Sequence, residues 1–278
     1  MRSPLRLGIS PCPNDTFAFH ALLTRELLPS GFELEIELLD VQELNEALAA
    51  GRFDAAKASF AAALGLAEEV WLLRAGAALG FGNGPLLLAP GTARPAGAAR
   101  RVLGPGRQTT AELLLRLFHP EEAEVESVLF SEIMPALQRG EADLGVCIHE
   151  GRFTWREAGL RLVEDLGQRW HAATDSPLPL GGIFARRALP RETTAELERL
   201  IAASIAWSRR HPDAALESMR RHAQEQSDAV LAAHVELYVN EETEGLGDAG
   251  RAAVERLAIE ARRAGLLPAG ATLEVFDG

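Results

Sequence analysis

Residue patterning in this chain of 278 residues indicates an α/β protein of two lobes with a helical C-terminal part. Short apolar runs alternate with helical periodicities over the first 90 residues. The same alternation resumes after a polar, small-residue segment at 91–100 (GTARPAGAAR). Beyond Pro190 the pattern is almost wholly helical. Strands and helices in alternation favour layered α/β folds. The expected division is 1–90 as the first part of one lobe, 91–186 as the second lobe, and 187–278 as a helical return to the first.

Residues 5–9 read as the first strand, 16–27 as a helix with Phe17, Leu22 and Leu23 inward, and 32–39 as an alternating strand. A helix at 41–50 ends before Gly51, a C-cap residue. A strand at 55–59 and a helix at 60–67 follow. Strands at 71–78 and 85–89 are separated by the glycine-rich turn 80–85. In the second block, strands at 101–103, 125–130, 144–148 and 160–165 enclose helices at 109–118 and 131–139, the latter closed by Gly140. A last strand covers 180–185, and helices cover 193–210, 212–222, 227–240 and 248–264. This grammar implies mostly parallel sheets covered on both faces. Ligands then bind beyond the carboxyl ends of strands, between the lobes.

Composition narrows the partners. Apolar residues make up 47% of the chain, enough for a real core. The net charge of −12 argues against non-specific nucleic-acid binding, which needs a basic face. No apolar run is long enough to span a membrane, and the N-terminal residues lack a signal-peptide pattern. Two cysteines, Cys12 and Cys147, do not make a disulfide framework. The expectation is a soluble cytoplasmic protein without nucleic-acid or membrane partners; no pattern reports its oligomeric state. Of the 28 basic residues, 27 are arginine and one is Lys57.

The loops after the strands carry the candidate chemistry. In Ser10-Pro11-Cys12-Pro13-Asn14-Asp15-Thr16-Phe17, two prolines stiffen the backbone, and Asn14, Asp15 or Thr16 can cap the next helix while amides face an anion. A plain stiff turn is the alternative. Cys12 is a nucleophile only if a histidine lies beside it, and otherwise a small apolar filler. Lys57 and Ser59, two apart on an extended chain, point the same way and can hold a carboxylate. A compact ammonium differs from a guanidinium fork, which gives a reason for one lysine among arginines; a surface lysine left by chance is the other reading.

Gly104-Pro105-Gly106-Arg107-Gln108-Thr109-Thr110 opens a helix after a strand and has the logic of an anion cradle. It matches neither a Walker A loop nor a dinucleotide fingerprint. The acidic surface would then surround a small cationic cleft built from Lys57, Arg107 and helix N-termini. His149, at the carboxyl end of a strand, is placed for general-base work with Glu150 or Asp15 to orient it, or is simply structural. The other histidines lie mostly on helical or polar stretches and show no zinc-ligand spacing, so no metal site is expected.

The string SPCPNDTF at 10–17 is highly specific and resembles the signature of the 1,4-dihydroxy-6-naphthoate synthase family, from the futalosine route to menaquinone. Further similar pieces, in order, are Lys57-Ala58-Ser59, Leu79-Gly80 through Gly84-Pro85, Gly106 to Thr110, His149-Glu150-x-Arg152-Phe153-Thr154, Leu178 to Gly181, and Tyr238-Val239-Asn240. The resemblance implies the type 2 two-lobed fold of periplasmic solute-binding proteins, with the ligand cleft between lobes, used as a cytoplasmic enzyme. It implies a carbon–carbon lyase that converts cyclic dehypoxanthinyl futalosine to 1,4-dihydroxy-6-naphthoate and a dihydroxyacetone-type fragment, without a cofactor. By motif position His149 would accept the proton, and Lys57, Ala58, Ser59, Thr109 and Thr110 would line the site of a small carboxylate substrate. Asn14, Asp15 and Arg107 join them from the residue reading. Phe60 stands where some relatives carry tyrosine. The alternatives are the related chorismate dehydratase and a solute-binding protein that only captures a small anion.

Overall fold

The computed structural model describes residues 4–92, 100–122, 124–223 and 227–278. In chain order its strands are β1 (Leu5–Ile9), β2 (Leu34–Leu38), β3 (Ala55–Ser59), β4 (Val70–Leu72), β5 (Ala78–Gly80), β6 (Leu86–Ala89), β7 (Val102–Gly104), β8 (Val125–Ser127), β9 (Leu144–Cys147), β10 (Arg161–Asp165) and β11 (Leu178–Arg186). The first block of helices is α1 (Pro13–Ala18), α2 (His20–Leu23), α3 (Val41–Ala49) and α4 (Phe60–Leu64). The second is α5 (Thr110–Phe118), α6 (Phe130–Gln138), α7 (Gly151–Thr154) and α8 (Leu166–Thr174). The tail holds α9 (Arg191–Arg210), α10 (Pro212–His222), α11 (Asp228–Tyr238), α12 (Glu241–Glu244) and α13 (Asp248–Arg263).

The strands form two sheets. One has the order β2-β1-β3-β11-β4, with β5 also on β11; the other has the order β10-β6-β9-β7-β8. The sheets are mixed, a correction to the mostly parallel expectation. β1 runs parallel to β2 and β3, and β7 parallel to β8 and β9. Every pairing of β6 and β11 is antiparallel. The reason is connectivity. β6 and β11 each arrive from the other sheet, so neither is joined to its own sheet neighbours by the strand–helix–strand unit that makes neighbours parallel.

The chain therefore changes sheets between β5 and β6 and again between β10 and β11. Divisions at 90 and 186 would leave β6 with the first sheet and β11 with the second; the hydrogen bonding has them the other way round. Of the segment 91–100, residues 93–99 lie outside the described residues. The turn expected at 80–85 is thus a crossing between sheets rather than a link within one.

The two crossings are pressed together. A Cβ added to Gly167 would lie 2.2 Å from the carbonyl carbon of Asn83 and 2.3 Å from the amide nitrogen of Gly84. Only glycine allows backbone to meet backbone so closely. Arg152 fastens the same point, donating to the Gly84 carbonyl at 2.7 Å and pairing with Asp165 at 2.6 Å.

Local differences have local causes. The helix expected from residue 16 starts at Pro13, whose fixed φ suits the first helical position, and it breaks at Phe19 into α1 and α2. Helix α8 was not expected, because LGQRWHAAT shows little apolar periodicity. It is held instead by the Asp165 carboxylate, which accepts from the Gly167 and Gln168 amides, and by the fully buried Trp170.

The tail lies against elements of the first sheet. α9 and α10 pack on α1 and α2, α11 on α1 and β5, and α13 on β11. The Asn240 amide donates to the Leu79 carbonyl at 3.3 Å, and Phe276 donates its backbone N–H to Leu72 beside β4. Among the described residues, no helix is long and apolar enough to cross a membrane.

Candidate active site

The carboxyl ends of β1, β3, β7 and β9 meet at one cavity of about 690 Å³, part of it open to solvent. Eight expected site residues line it: Asn14, Asp15, Lys57, Ala58, Ser59, Thr109, Thr110 and His149. Arg107 does not. Gly106, at φ +132°, turns the loop onto Gln42 of α3, whose side chain fills the space a Cβ would need. Arg107 is left exposed outside the cavity.

Lys57 is buried, but its charge is already matched. The ammonium lies 2.8 Å from Asp15 Oδ1 and donates to the Gly76 carbonyl at 2.9 Å. Asp15 is therefore no helix cap. Its other contacts come from the Ser10 hydroxyl at 2.6 Å and the Asn14 amide at 2.8 Å, and Cys12 occupies the N-cap position of α1. The expected cationic cleft is, in fact, a buried ion pair bordered by neutral donors.

Ser59 is bracketed by Asn45, which was not foreseen. The Asn45 side chain accepts from the Ser59 amide at 2.8 Å and donates to the Ser59 hydroxyl at 3.2 Å. Thr109 caps α5, accepting from the Glu112 amide, while Thr110 donates to the Leu180 carbonyl at 2.9 Å. Their hydroxyls are committed to the fold. The first turn of α5 still borders the cavity with the positive end of its dipole.

His149 lies two residues beyond β9 with φ +55°, a left-handed conformation uncommon for a residue other than glycine. Cys12 Sγ lies 3.1 Å from its Nδ1, and the Phe130 ring packs edge-on at 4.7 Å. Burial lowers the imidazole pKa to about 4, and Lys57 assists while Asp15 opposes. The ring is neutral at pH 7 with a lone pair to use. Burial pushes the Cys12 thiol well up, with Glu150 and Asp15 adding to the effect. A thiol that stays protonated is no activated nucleophile despite its histidine neighbour. Asp15 reaches His149 only through its field; the touching group is Cys12. Cys147 is a separate free thiol in the core.

Two further cavity residues had no site role in the sequence: Tyr238 stood only within the resembling piece Tyr238-Val239-Asn240, and His234 among the histidines of helical stretches. His234 and Tyr238 sit one turn apart on α11 and contribute to the wall. Their spacing of four and the presence of a single tyrosine in the chain were the available signals. Burial, with a contribution from His149, lowers the His234 pKa to about 3. Burial raises the Tyr238 pKa to about 12. Donor atoms of His149, Glu150 and His234 lie within 4.8 Å of one another, the one grouping among the described residues with metal-ligand proximity. Spacing rules did not see it because α11 is remote in sequence from β9.

The two imidazoles impose an acid limit. Each has an ordinary pKa of 6.5, against about 4 and about 3 in the fold. In that interval the unfolded chain binds more protons than the folded one. Their contribution is thus full above pH 6.5 and is lost as pH falls through 4 and then 3. Thermal melts should show a lower Tm near pH 4.5 than at pH 7, with a smaller gap in His234→Leu. An identical gap in both proteins would contradict the assignment to His234.

The model of a family described as menaquinone biosynthesis matches residues 5–263. A 1,4-dihydroxy-6-naphthoate synthase of Thermus thermophilus is 45% identical over 262 residues, covering 94% of this chain and 95% of the relative. One of Streptomyces coelicolor is 38% identical over 270 residues, covering 95% of each. The chain belongs to the 1,4-dihydroxy-6-naphthoate synthase family of menaquinone biosynthesis. As a member of that family it is an enzyme. The crystal structure of protein AF1704 from Archaeoglobus fulgidus superposes with a TM-score of 0.87 at 30% identity, covering 95% of this chain and 98% of that one. The periplasmic aliphatic sulphonate-binding protein SsuA of Escherichia coli gives 0.64 at 12% identity, covering 96% and 89%. The latter likeness shows the fold alone: this synthase-family chain has the two-lobed architecture of periplasmic binding proteins. The SPCPNDTF loop is the segment that delivers Cys12 to His149 and Asp15 to Lys57.

Proposed function

We propose that the protein is a cytoplasmic carbon–carbon lyase that converts cyclic dehypoxanthinyl futalosine to 1,4-dihydroxy-6-naphthoate and a dihydroxyacetone-type fragment, with His149 as general base. The observation that carries this reading is that His149 lines one cavity together with Lys57, Ser59 and the first turn of α5, in a chain of the synthase family. Burial keeps its imidazole neutral at pH 7.

The substrate carries an aromatic carboxylate and a polyhydroxylated ring. Its carboxylate is received at the first turn of α5, where the helix dipole favours an anion. The remaining N–H of Lys57 supports it, and Ala58, Ser59 and Asn14 complete the wall. His149 removes an activated proton. The pair of that C–H bond forms the double bond that completes the naphthalene ring, and the carbon–carbon bond breaks with its own pair leaving on the fragment. The imidazolium returns its proton to that pair, so the base ends as it began.

The experiment presents cyclic dehypoxanthinyl futalosine and chorismate to the purified protein side by side. Release of 1,4-dihydroxy-6-naphthoate from the first, with chorismate unchanged, is the expected outcome. Dehydration of chorismate with the cyclic compound untouched would assign the chain to the other reaction. Tight binding of the cyclic compound without turnover would make it a solute-binding protein.

A further inference from the structure

His234 is a polar group in the cavity wall that the proposed chemistry leaves unused. It is 1% exposed, yet among the described residues neither ring nitrogen has a hydrogen-bond partner. Orphaned buried polar atoms are uncommon and costly, so each calls for a reason. Packing does not supply one. The neighbouring rings are Tyr238, centred 4.8 Å away, and Phe153, at 6.1 Å. Against those neighbours a leucine would serve as well.

The ring lines the cavity, and its donor atom comes within 4.8 Å of those of His149 and Glu150. It therefore borders the place where the proton is removed. A neutral imidazole offers one N–H and one lone pair. A hydroxyl, which both donates and accepts, can answer either nitrogen. A carboxylate only accepts, and its receiving site lies at α5 instead.

We propose that His234 is a substrate-binding residue whose imidazole hydrogen-bonds a hydroxyl of the sugar-derived ring of the substrate, beside the carbon that His149 deprotonates. This rests on the proposed lyase reaction. A divalent metal on His149, Glu150 and His234 would also occupy one nitrogen of this ring, but it would take the lone pair that the base needs.

The test compares wild type, His234→Leu and His234→Gln. Leucine removes both nitrogens and is expected to leave Tm at pH 7 unchanged or raised, because an unpaired polar ring is gone. It should lower kcat/KM for the cyclic compound by roughly 100-fold, and glutamine, which keeps a donor and an acceptor, should recover about tenfold of that. Inhibition by added 1,4-dihydroxy-6-naphthoate, which lacks the sugar-derived ring, should be unchanged in both variants. An active wild type with His234→Leu within twofold of it overturns this assignment alone. Equal weakening of naphthoate and substrate binding also overturns it. Stoichiometric Zn²⁺ uptake that His234→Leu abolishes, with turnover lost on chelation, would make His234 a metal ligand and overturn it too. A wild type inactive on the cyclic compound removes the lyase reading and this one together.

Discussion

Replacing His149 with asparagine is expected to leave a folded protein that has lost about three orders of magnitude in kcat, the usual worth of a positioned general base. Asparagine is the informative choice because position 149 sits at φ +55°, which asparagine tolerates better than alanine does. The loss then reports the missing base and not a strained turn. KM should move only a few-fold, since the proposed carboxylate site lies at α5. The wild-type rate should be flat near neutrality and fall as pH drops through about 4, where the imidazole takes up a proton. Retention of more than a tenth of wild-type kcat by His149→Asn would end its role as base.

Lys57→Ala should produce the largest loss of stability of any single change at the site. It leaves the Asp15 carboxylate, 2% exposed, without its ammonium partner. Removing one member of a buried pair typically costs about 3–5 kcal/mol. The Ser10 and Asn14 donors that remain on Asp15 place this case toward the lower figure. For a chain of this size, Tm would fall by roughly 6–12 °C. The double variant Lys57→Met with Asp15→Asn should recover most of the Tm, because no charge is left stranded, yet stay inactive. Lys57→Arg should weaken substrate binding beyond a conservative swap. The stem is confined, with a Cβ on Gly181 reaching within 3.2 Å of Lys57 Cε, and a fork does not fit where a point charge does. A Tm for Lys57→Ala within a degree of wild type would show that the pair stabilises nothing.

These two residues also show how far the sequence could be read. The strands 5–9 and 55–59 and the helix 212–222 were legible to the residue, because apolar runs and capping residues are local signals. Strand direction was not, because it depends on where the chain changes sheets. Lys57 was legible as an exception among arginines, but its partner was not. The i to i+2 geometry of Lys57 and Ser59 says which way the ammonium points and nothing about Asp15, which arrives from another loop. Arg107 failed for a similar reason: a cradle motif specifies its backbone, and the Gly106 turn sent the side chain out. His234 lay hidden because a histidine on an apolar helix face carries no label until the opposite wall is known.

Cys12 follows a strand of the first sheet and His149 a strand of the second, so their 3.1 Å contact spans the cleft. The low proton affinity of His149 comes first from burial. Parting the sheets would hydrate the ring and return it toward its ordinary value of 6.5. Shutting the cleft at mildly acidic pH would then expel one proton to solvent. Ligand affinity would carry a proton stoichiometry, falling up to tenfold per pH unit below 6.5. The base would be armed by the same movement that encloses what it acts on.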